Sequence, residues 1–307
     1  MTSLLDRPFT RRDADADGLT GIELAALCAS GELLHPSKGL YLPAHLADDV
    51  GARALAVSLV LPRGAALARE SAAWLMGIDV RPPARWQQPP LLECLVPLGA
   101  VRPERPDLNA FVSDLPLGDV VDVAGVPCTS PTRTALDLAR YRPAFIGLGA
   151  VDAFTHAGLT TVSELEAALR PLRGRRFVRR ARDVVALCEP ATESMGESWS
   201  RLRVVEAGLP RPQVQIRLRE NGVEIYRLDM GYDVEQVGIE YDGVEHHLKT
   251  REQRLHDDAR RADIQDRFGW RVVPVTAEDV FGRRPVLEGT VMELLGISVE
   301  IRRRRWT

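Results

Sequence analysis

The chain has 307 residues, 45% of them hydrophobic and 27% charged, with a formal net charge of −3. That is the composition of an ordinary globular protein, long enough for two or three separate cores. The balance excludes a chain that coats nucleic acid with uniform positive charge, so any phosphate-binding surface has to be local. Four cysteines, Cys28, Cys94, Cys128 and Cys188, are widely spaced and form no C-x-x-C pair. This argues against a zinc cage or a disulfide framework and leads us to expect a reducing, cytoplasmic setting. No apolar run reaches the roughly 18 residues of a membrane span, and none follows a basic N-terminal stretch as a signal peptide would.

Residues 7–45 read as a small helical unit within a first domain at 1–46. Thr10 or Asp13 caps a first helix, G-L-T at 18–20 makes a turn, and Thr20 opens G-I-E-L-A-A-L-C-A-S-G, which Gly31 ends. Leu33-Leu34 and Gly39–Leu42 flank a turn expected at Pro36-Ser37. Two helices, a tight turn and a hairpin describe a winged helix-turn-helix. The segment resembles the N-terminal winged helix of abortive-infection antitoxins of type IV toxin–antitoxin systems, which implies DNA contact and a cognate toxin. Acids outnumber bases here, which is awkward for phosphate binding, so a helical cap without DNA contact stays open.

Residues 47–145 read as a mixed α+β middle domain. Helix-like A-R-A-L-A-V-S-L-V-L-P and S-A-A-W-L-M-G precede a Pro-rich stretch and apolar runs at 91–98, 109–113 and 119–127, which read as strands. Ser130 and Pro131 then open the helix P-T-R-T-A-L-D-L-A-R as N-cap and first position. The same antitoxins carry a very similar S-P-x-R-T-x-x-D-L-A segment. Arg133 and Asp137, four apart on one helix face, are expected to pair with each other or with the adjoining sheet.

Residues 146–188 are expected to form an Arg-rich helical linker. Seven arginines fall between Arg170 and Arg182 with no acid among them. On a continuous helix Arg173, Arg176, Arg179 and Arg180 share one face. Together with Arg175 they make a candidate phosphate-tracking stripe, or else a solvated face.

The last domain is expected over 189–296, followed by a basic tail at 297–307. In the run from Arg227 to Val273, Asp229 stands between apolar residues, and Glu240-Tyr241-Asp242-Gly243 follows eleven positions later, then His246 and His247. If 225–230 and 237–242 are antiparallel neighbours, period-two alternation puts Glu240 and Asp242 on one face with Asp229 opposite them. Clustered carboxylates repel unless a cation neutralises them, and an oxygen-rich set suits Mg²⁺ or Mn²⁺. The spacing D-(x)10-E-x-D-G-x-x-H, then D-x-x-R and G-W-R-V-V, resembles the domain similar to very-short-patch-repair endonucleases, within the PD-(D/E)xK nuclease superfamily. The segment 193–215 resembles that family's opening helix and first strand.

The resemblance implies a restriction-endonuclease-like mixed sheet flanked by helices, within an α/β multi-domain protein. It implies Asp229, Glu240 and Asp242 as metal ligands and His246 as general acid/base in place of the missing lysine. Glu197 is preferred over Glu193 for a further carboxylate, Asp258 and Arg261 are a structural pair unless Arg261 contacts phosphate, and His247 stands in reserve for His246. The expected function is metal-dependent phosphodiester hydrolysis, most simply of DNA, in a defence, repair or toxin–antitoxin setting. The alternative is a non-catalytic DNA-binding antitoxin or regulator whose nuclease-like domain is a scaffold.

Overall fold

The computed structural model describes residues 4–81, 91–243 and 250–301. His246 and His247, and the tail from Arg302 to Arg305, lie outside the described residues. The chain divides into two compact units, Met1–Leu138 and Ala139–Thr307, with helices and both mixed and antiparallel sheets in an α/β multi-domain arrangement. Among the described residues no helix is long and apolar enough to cross a membrane.

In the first unit, β1 (Phe9–Thr10) runs directly into α1 (Arg11–Ala16), and α2 (Gly21–Ala29) follows a tight turn. Both helices start with reciprocal caps. Thr10 N donates to Asp13 Oδ2 at 2.8 Å while Asp13 N donates to Thr10 Oγ1 at 3.3 Å, and Thr20 and Glu23 repeat the arrangement. β2 (Leu33–Ser37) and β3 (Leu40–Pro43) form the hairpin, with β1 added on the far side of β3. The turn sits at Lys38-Gly39 rather than at Pro36-Ser37, because Gly39 supplies the left-handed φ of +75° while Pro36 stays within the strand. Phe9, Ala14, Leu24, Leu33 and Tyr41 close a small core.

Still within this unit come α3 (Val50–Ser58), β4 (Ala66–Leu67), α4 (Arg69–Leu75), β5 (Leu92–Pro97), β6 (Leu108–Ser113), β7 (Val120–Val123), β8 (Val126–Thr129) and the start of α5 (Pro131–Tyr141). The strands order as β6-β5-β4-β8-β7. Ala54 and Val57 of α3 and Ala72 and Leu75 of α4 pack on Leu67, Cys94, Val96 and Cys128 of the sheet. The apolar run at 119–127 is two strands, not one. Ala124 and Gly125, both at positive φ, turn it into a two-residue hairpin, and Asp122 Oδ1 accepts from Gly125 N at 2.8 Å. Arg133 bonds Asp137 at 2.8 Å, Asp119 at 2.5 Å and Ser113 Oγ at 3.0 Å, the structural pairing its spacing suggests.

The second unit opens with three helices, α6 (Ala144–His156), α7 (Val162–Leu169) and α8 (Val178–Ala186), and continues with α9 (Met195–Glu206). Four strands follow: β9 (Gln213–Glu220), β10 (Val223–Tyr232), β11 (Val237–Tyr241) and, after the long crossover helix α10 (Arg251–Phe268), β12 (Arg271–Val275). α11 (Ala277–Phe281) and α12 (Val286–Leu295) complete the unit. The sheet orders as β12-β11-β10-β9, antiparallel across β9, β10 and β11 and parallel between β11 and β12. This is the mixed sheet with neighbouring strands that the alternation predicts.

α9 is the buried hub, and α6 packs against it. Two arginines on α9 are fully buried, and each pairs with a carboxylate. Arg201 pairs with Asp152, which also accepts from Ser198 Oγ at 2.6 Å. Arg203 Nε bonds Glu288 at 2.9 Å, and its other nitrogens reach the carbonyls of Val280 and Arg284 at 2.5 and 2.6 Å. Buried cations of this kind hold only when paired and saturated with hydrogen bonds.

The arginine-rich stretch is not the continuous helix its composition suggests. α7 ends at Leu169, residues 171–177 are turns, and α8 starts at Val178. Gly174 at φ +81° and Phe177 at φ +62° break the helix. Arg173, Arg175 and Arg176 therefore surround a turn, and only Arg179, Arg180 and Arg182 lie on α8.

Candidate functional site in the second unit

The acidic residues of the last domain gather where the sheet of the second unit changes which face it buries. Tyr226, Leu228, Met230 and Tyr232 alternate with the period of a strand, so ideal geometry would keep all four on one face. They do not stay together. Tyr226 and Leu228 join Ile216, Leu218, Ile264 and Trp270 on the α10 side. Met230 and Tyr232 join Val214, Trp199 and Val280 on the other. β10 turns over at Asp229, and β9 turns over beside it at Gln215, which is held at φ +53°. The simple alternation that had Asp229 face Glu240 and Asp242 on a flat hairpin is thus replaced by a local twist. Such irregularities re-aim side chains next to functional sites.

Asp229 Oδ2 accepts the backbone amide of Tyr241 at 2.8 Å, which ties the carboxylate across to β11. Burial pushes its pKa up to about 7; the Tyr241 amide opposes this, the negative charges of Glu197 and Glu240 add to it, and Arg260 counteracts them. Glu197 comes from the first turn of α9. Ser194 caps that helix, with Glu197 N donating to Ser194 Oγ at 3.2 Å. The Glu197 carboxylate is buried and accepts from Gln215 Nε2 and from Glu193 N, both at 3.1 Å. Glu193 stays at the rim, paired with Arg227 at 2.9 Å. Of the two candidate carboxylates on the opening helix, the structure therefore turns Glu197 inward.

α9 comes this close because Gly196 has no side chain. A Cβ there would stand 2.0 Å from the ring of Tyr241. Tyr241 also meets Trp199 edge-on, with centroids 6.5 Å apart.

Glu240, buried, bonds Arg260 at 2.7 Å. The Arg260 guanidinium also lies 5.4 Å from the Tyr226 ring centroid. Asp242 sits just past β11, where its amide donates to Val275 O at 2.8 Å and its carboxylate lies 3.8 Å from Arg261. Arg261 also bonds Asp258 at 2.8 Å, the structural pairing raised from its spacing.

The cluster thus joins Glu197, Gln215, Asp229, Glu240 and Arg260. It does not bring Asp242 to Asp229 as a third equivalent carboxylate. Sequence reasoning missed Arg260 and Gln215. Arg260 was detectable in principle, since it precedes Ile264, a buried residue of the strongly polar α10, by four positions and so shares its face. The D-x-x-R pattern pointed one residue too far, to Arg261. Gln215 had no such signal, because nothing local announces a twist that depends on its neighbour strand.

The expected divalent-cation set of Asp229, Glu240 and Asp242 does not fit a cation as these residues stand. The charge of Glu240 is met by Arg260, and Arg261 attends Asp242. Among the described residues no three His, Cys, Asp or Glu side chains gather in a way that could hold a metal ion. The chemistry the cluster does offer is a half-buried carboxyl, Asp229, with its pKa raised to about 7, near the Arg260 guanidinium.

Comparison with known proteins bears on the middle of the chain. Residues 64–187 match the family of AbiEi antitoxin C-terminal domains. The matched stretch contains the S-P-x-R-T-x-x-D-L-A helix and the arginine-rich turn, and it ends before the acidic cluster. An uncharacterized protein of Mycobacterium tuberculosis (strain CDC 1551 / Oshkosh) is 31% identical over 176 residues, 57% of this chain and 64% of its own. An uncharacterized protein of Mycobacterium tuberculosis (strain ATCC 25618 / H37Rv) matches with the same figures. The chain thus spans 64% of the length of these relatives.

Proposed function

We propose that the protein is a DNA-binding regulator of the antitoxin type, and that the domain carrying its acidic C-terminal cluster serves as a scaffold. The observation that carries this reading is the antitoxin-domain match over residues 64–187. The unit preceding it supports the same reading. α1, the turn, α2 and the β2–β3 hairpin follow the order of a winged helix, and α2 would be the helix that enters a groove. Ile22, 84% exposed, leads that helix, and Ala25 and Ala29 lie on its open surface. Small apolar side chains suit contact with thymine methyl groups rather than with phosphates, which accommodates the local excess of acid. A toxin is the partner such a regulator would bind.

The nuclease reading, with Mg²⁺ or Mn²⁺ at the acids, ranks second. The Glu240–Arg260 ion pair supports the scaffold instead, because a cation binding Glu240 would have to displace that guanidinium. The experiment incubates purified protein with duplex DNA, single-stranded DNA and RNA in Mg²⁺, Mn²⁺ or EDTA. Duplex binding without cleavage, weakened at least about tenfold by Ile22→Asp, is the expected result; a groove-facing carboxylate repels the backbone. Metal-dependent cleavage that disappears in Asp229→Asn would overturn the proposal in favour of the nuclease.

A further inference from the structure

The turn between α7 and α8 goes beyond that reading. Arg173, Arg175, Arg179, Arg180 and Arg182 line an open hollow of about 730 Å³, with Phe177 in its wall. Among the described residues none of the arginines from Arg170 to Arg182 stands in an ion pair. All of them except Arg180 are exposed. This contrasts with Arg201 and Arg203, which find carboxylates elsewhere in the same unit. Like charges held together without acids cost repulsion and are normally dispersed, so a cluster kept open in this way calls for an anionic occupant.

Phe177 says which anion. A bulky residue in the left-handed region is an outlier that persists only where the surroundings impose it. Here that conformation, just before α8, keeps the ring at the surface, 37% exposed. The Arg176 and Arg180 guanidiniums lie 4.6 and 4.9 Å from its centroid. Tyr141 meets the ring edge-on at 6.0 Å. The turn is fastened from behind. Arg140 donates to the Arg176 carbonyl at 3.2 and 3.3 Å, and Arg180 donates to the Arg142 carbonyl at 2.8 Å.

Aromatic and guanidinium planes give bases somewhere to stack, and the surrounding arginines give phosphates somewhere to pair. Duplex DNA offers only its backbone to such a surface, because its bases are already stacked on one another. An unpaired strand offers both groups at once. We infer that the turn carrying Arg173–Arg182 is a binding site for single-stranded nucleic acid, with bases stacked at Phe177 and phosphates held by Arg173, Arg175 and Arg179.

The test measures fluorescence anisotropy of the full chain with labelled dT20, rU20 and a 20-base-pair duplex across a salt series. Single strands are expected to bind more tightly at this site than the duplex. Phe177→Leu keeps an apolar side chain of similar reach but removes the ring. It should weaken dT20 or rU20 binding roughly 5- to 150-fold, the range for losing one stacked base, while duplex binding stays unchanged. The triple change of Arg173, Arg175 and Arg179 to Gln should flatten the slope of log K against log salt by about 0.7 for each phosphate that is no longer neutralised. Ile22→Asp, which tests the winged helix, should leave single-strand binding intact, so the two readings fail separately. Unchanged single-strand affinity in a folded Phe177→Leu protein, verified by its melting curve, would overturn the inference. So would duplex binding that depends on the same arginines as tightly as single-strand binding does, since the surface would then track phosphates alone.

Discussion

Arginines occur in two very different settings within the second unit. On α9, Arg201 and Arg203 are sealed from water, and each meets a carboxylate together with backbone carbonyls. A short way upstream, the arginines of the α7–α8 turn face solvent, with no carboxylate partner among the described residues. The same side chain is a structural rivet in one place and an unsatisfied surface in the other. The difference lies in desolvation. A buried guanidinium without its partner costs several kcal/mol, whereas an exposed one is already solvated and contributes little to stability. Stability and binding therefore separate by location, and substitutions can expose that separation.

The largest effect is expected at Arg203. Arg203→Met leaves Glu288 buried without its partner and should cost about 3–5 kcal/mol in denaturant unfolding. Replacing both partners, Arg203→Met with Glu288→Leu, should cost clearly less than the sum of the single changes. Additive losses would show that the pair is not coupled and that the α9 arginines differ from the exposed ones only in packing.

Asp229 should set a pH dependence. Its folded pKa, about 7, lies above the ordinary 3.8, so between those values the folded state holds a proton that the unfolded chain releases. Stability from this group is full below about pH 4 and falls as pH rises towards 7, by at most roughly 4 kcal/mol. Asp229→Asn should remove that slope and stabilise the protein at pH 8. An unchanged slope in the variant would place the titration on another group. Arg260→Gln should move the Asp229 titration to higher pH, because the guanidinium that favours its charged form is gone.

Two glycines at the α9 interface sharpen the comparison on a smaller scale. A Cβ at Gly196 would strike the Tyr241 ring at 2.0 Å, and one at Gly149 would meet the flexible Met195 Sδ at 2.5 Å. Gly196→Ala should destabilise by about 1–3 kcal/mol, the cost of overpacking, whereas Met195 can swing aside for Gly149→Ala. Equal melting temperatures for the two variants would mean that α9 slides rather than clashes. Smallest of all, changing Arg173, Arg175 and Arg179 to Gln should alter stability by no more than about 0.5 kcal/mol for each residue, even where nucleic-acid binding disappears.

Caps, turns and periodicity made much of the fold readable in advance. Thr10, Thr20 and Ser130 mark helix starts because their hydroxyls satisfy orphan amides a few residues away. The strands near 225–230, 237–242 and 271–275 follow from alternation that needs only neighbouring side chains. Asp229 could be named as a candidate because an acid among apolar residues stands out, whereas Glu197 came from the resemblance of the segment 193–215 to an opening helix. These signals span a turn or two of chain, and so one sequence carries them complete.

Where those residues point was settled by partners far away along the chain. The run at 170–182 is rich enough in arginine to read as a helix stripe, yet the fastening of the Arg176 carbonyl by Arg140 and the left-handed Phe177 make it a turn. Asp229 reads as facing Glu240 and Asp242 across neighbouring strands. β10 nevertheless turns over there because two separate cores, one under α9 and one under α10, each claim half of its apolar side chains. Glu240 reads as a metal ligand until α10, the crossover helix that follows it, lays Arg260 across it. The sequence by itself determined the capped helix starts, the alternating strands of the last sheet and which residue types they carry. Only the tertiary structure decided which charges meet, because burial makes pairing compulsory and the partners that satisfy it come from elements no local pattern can link.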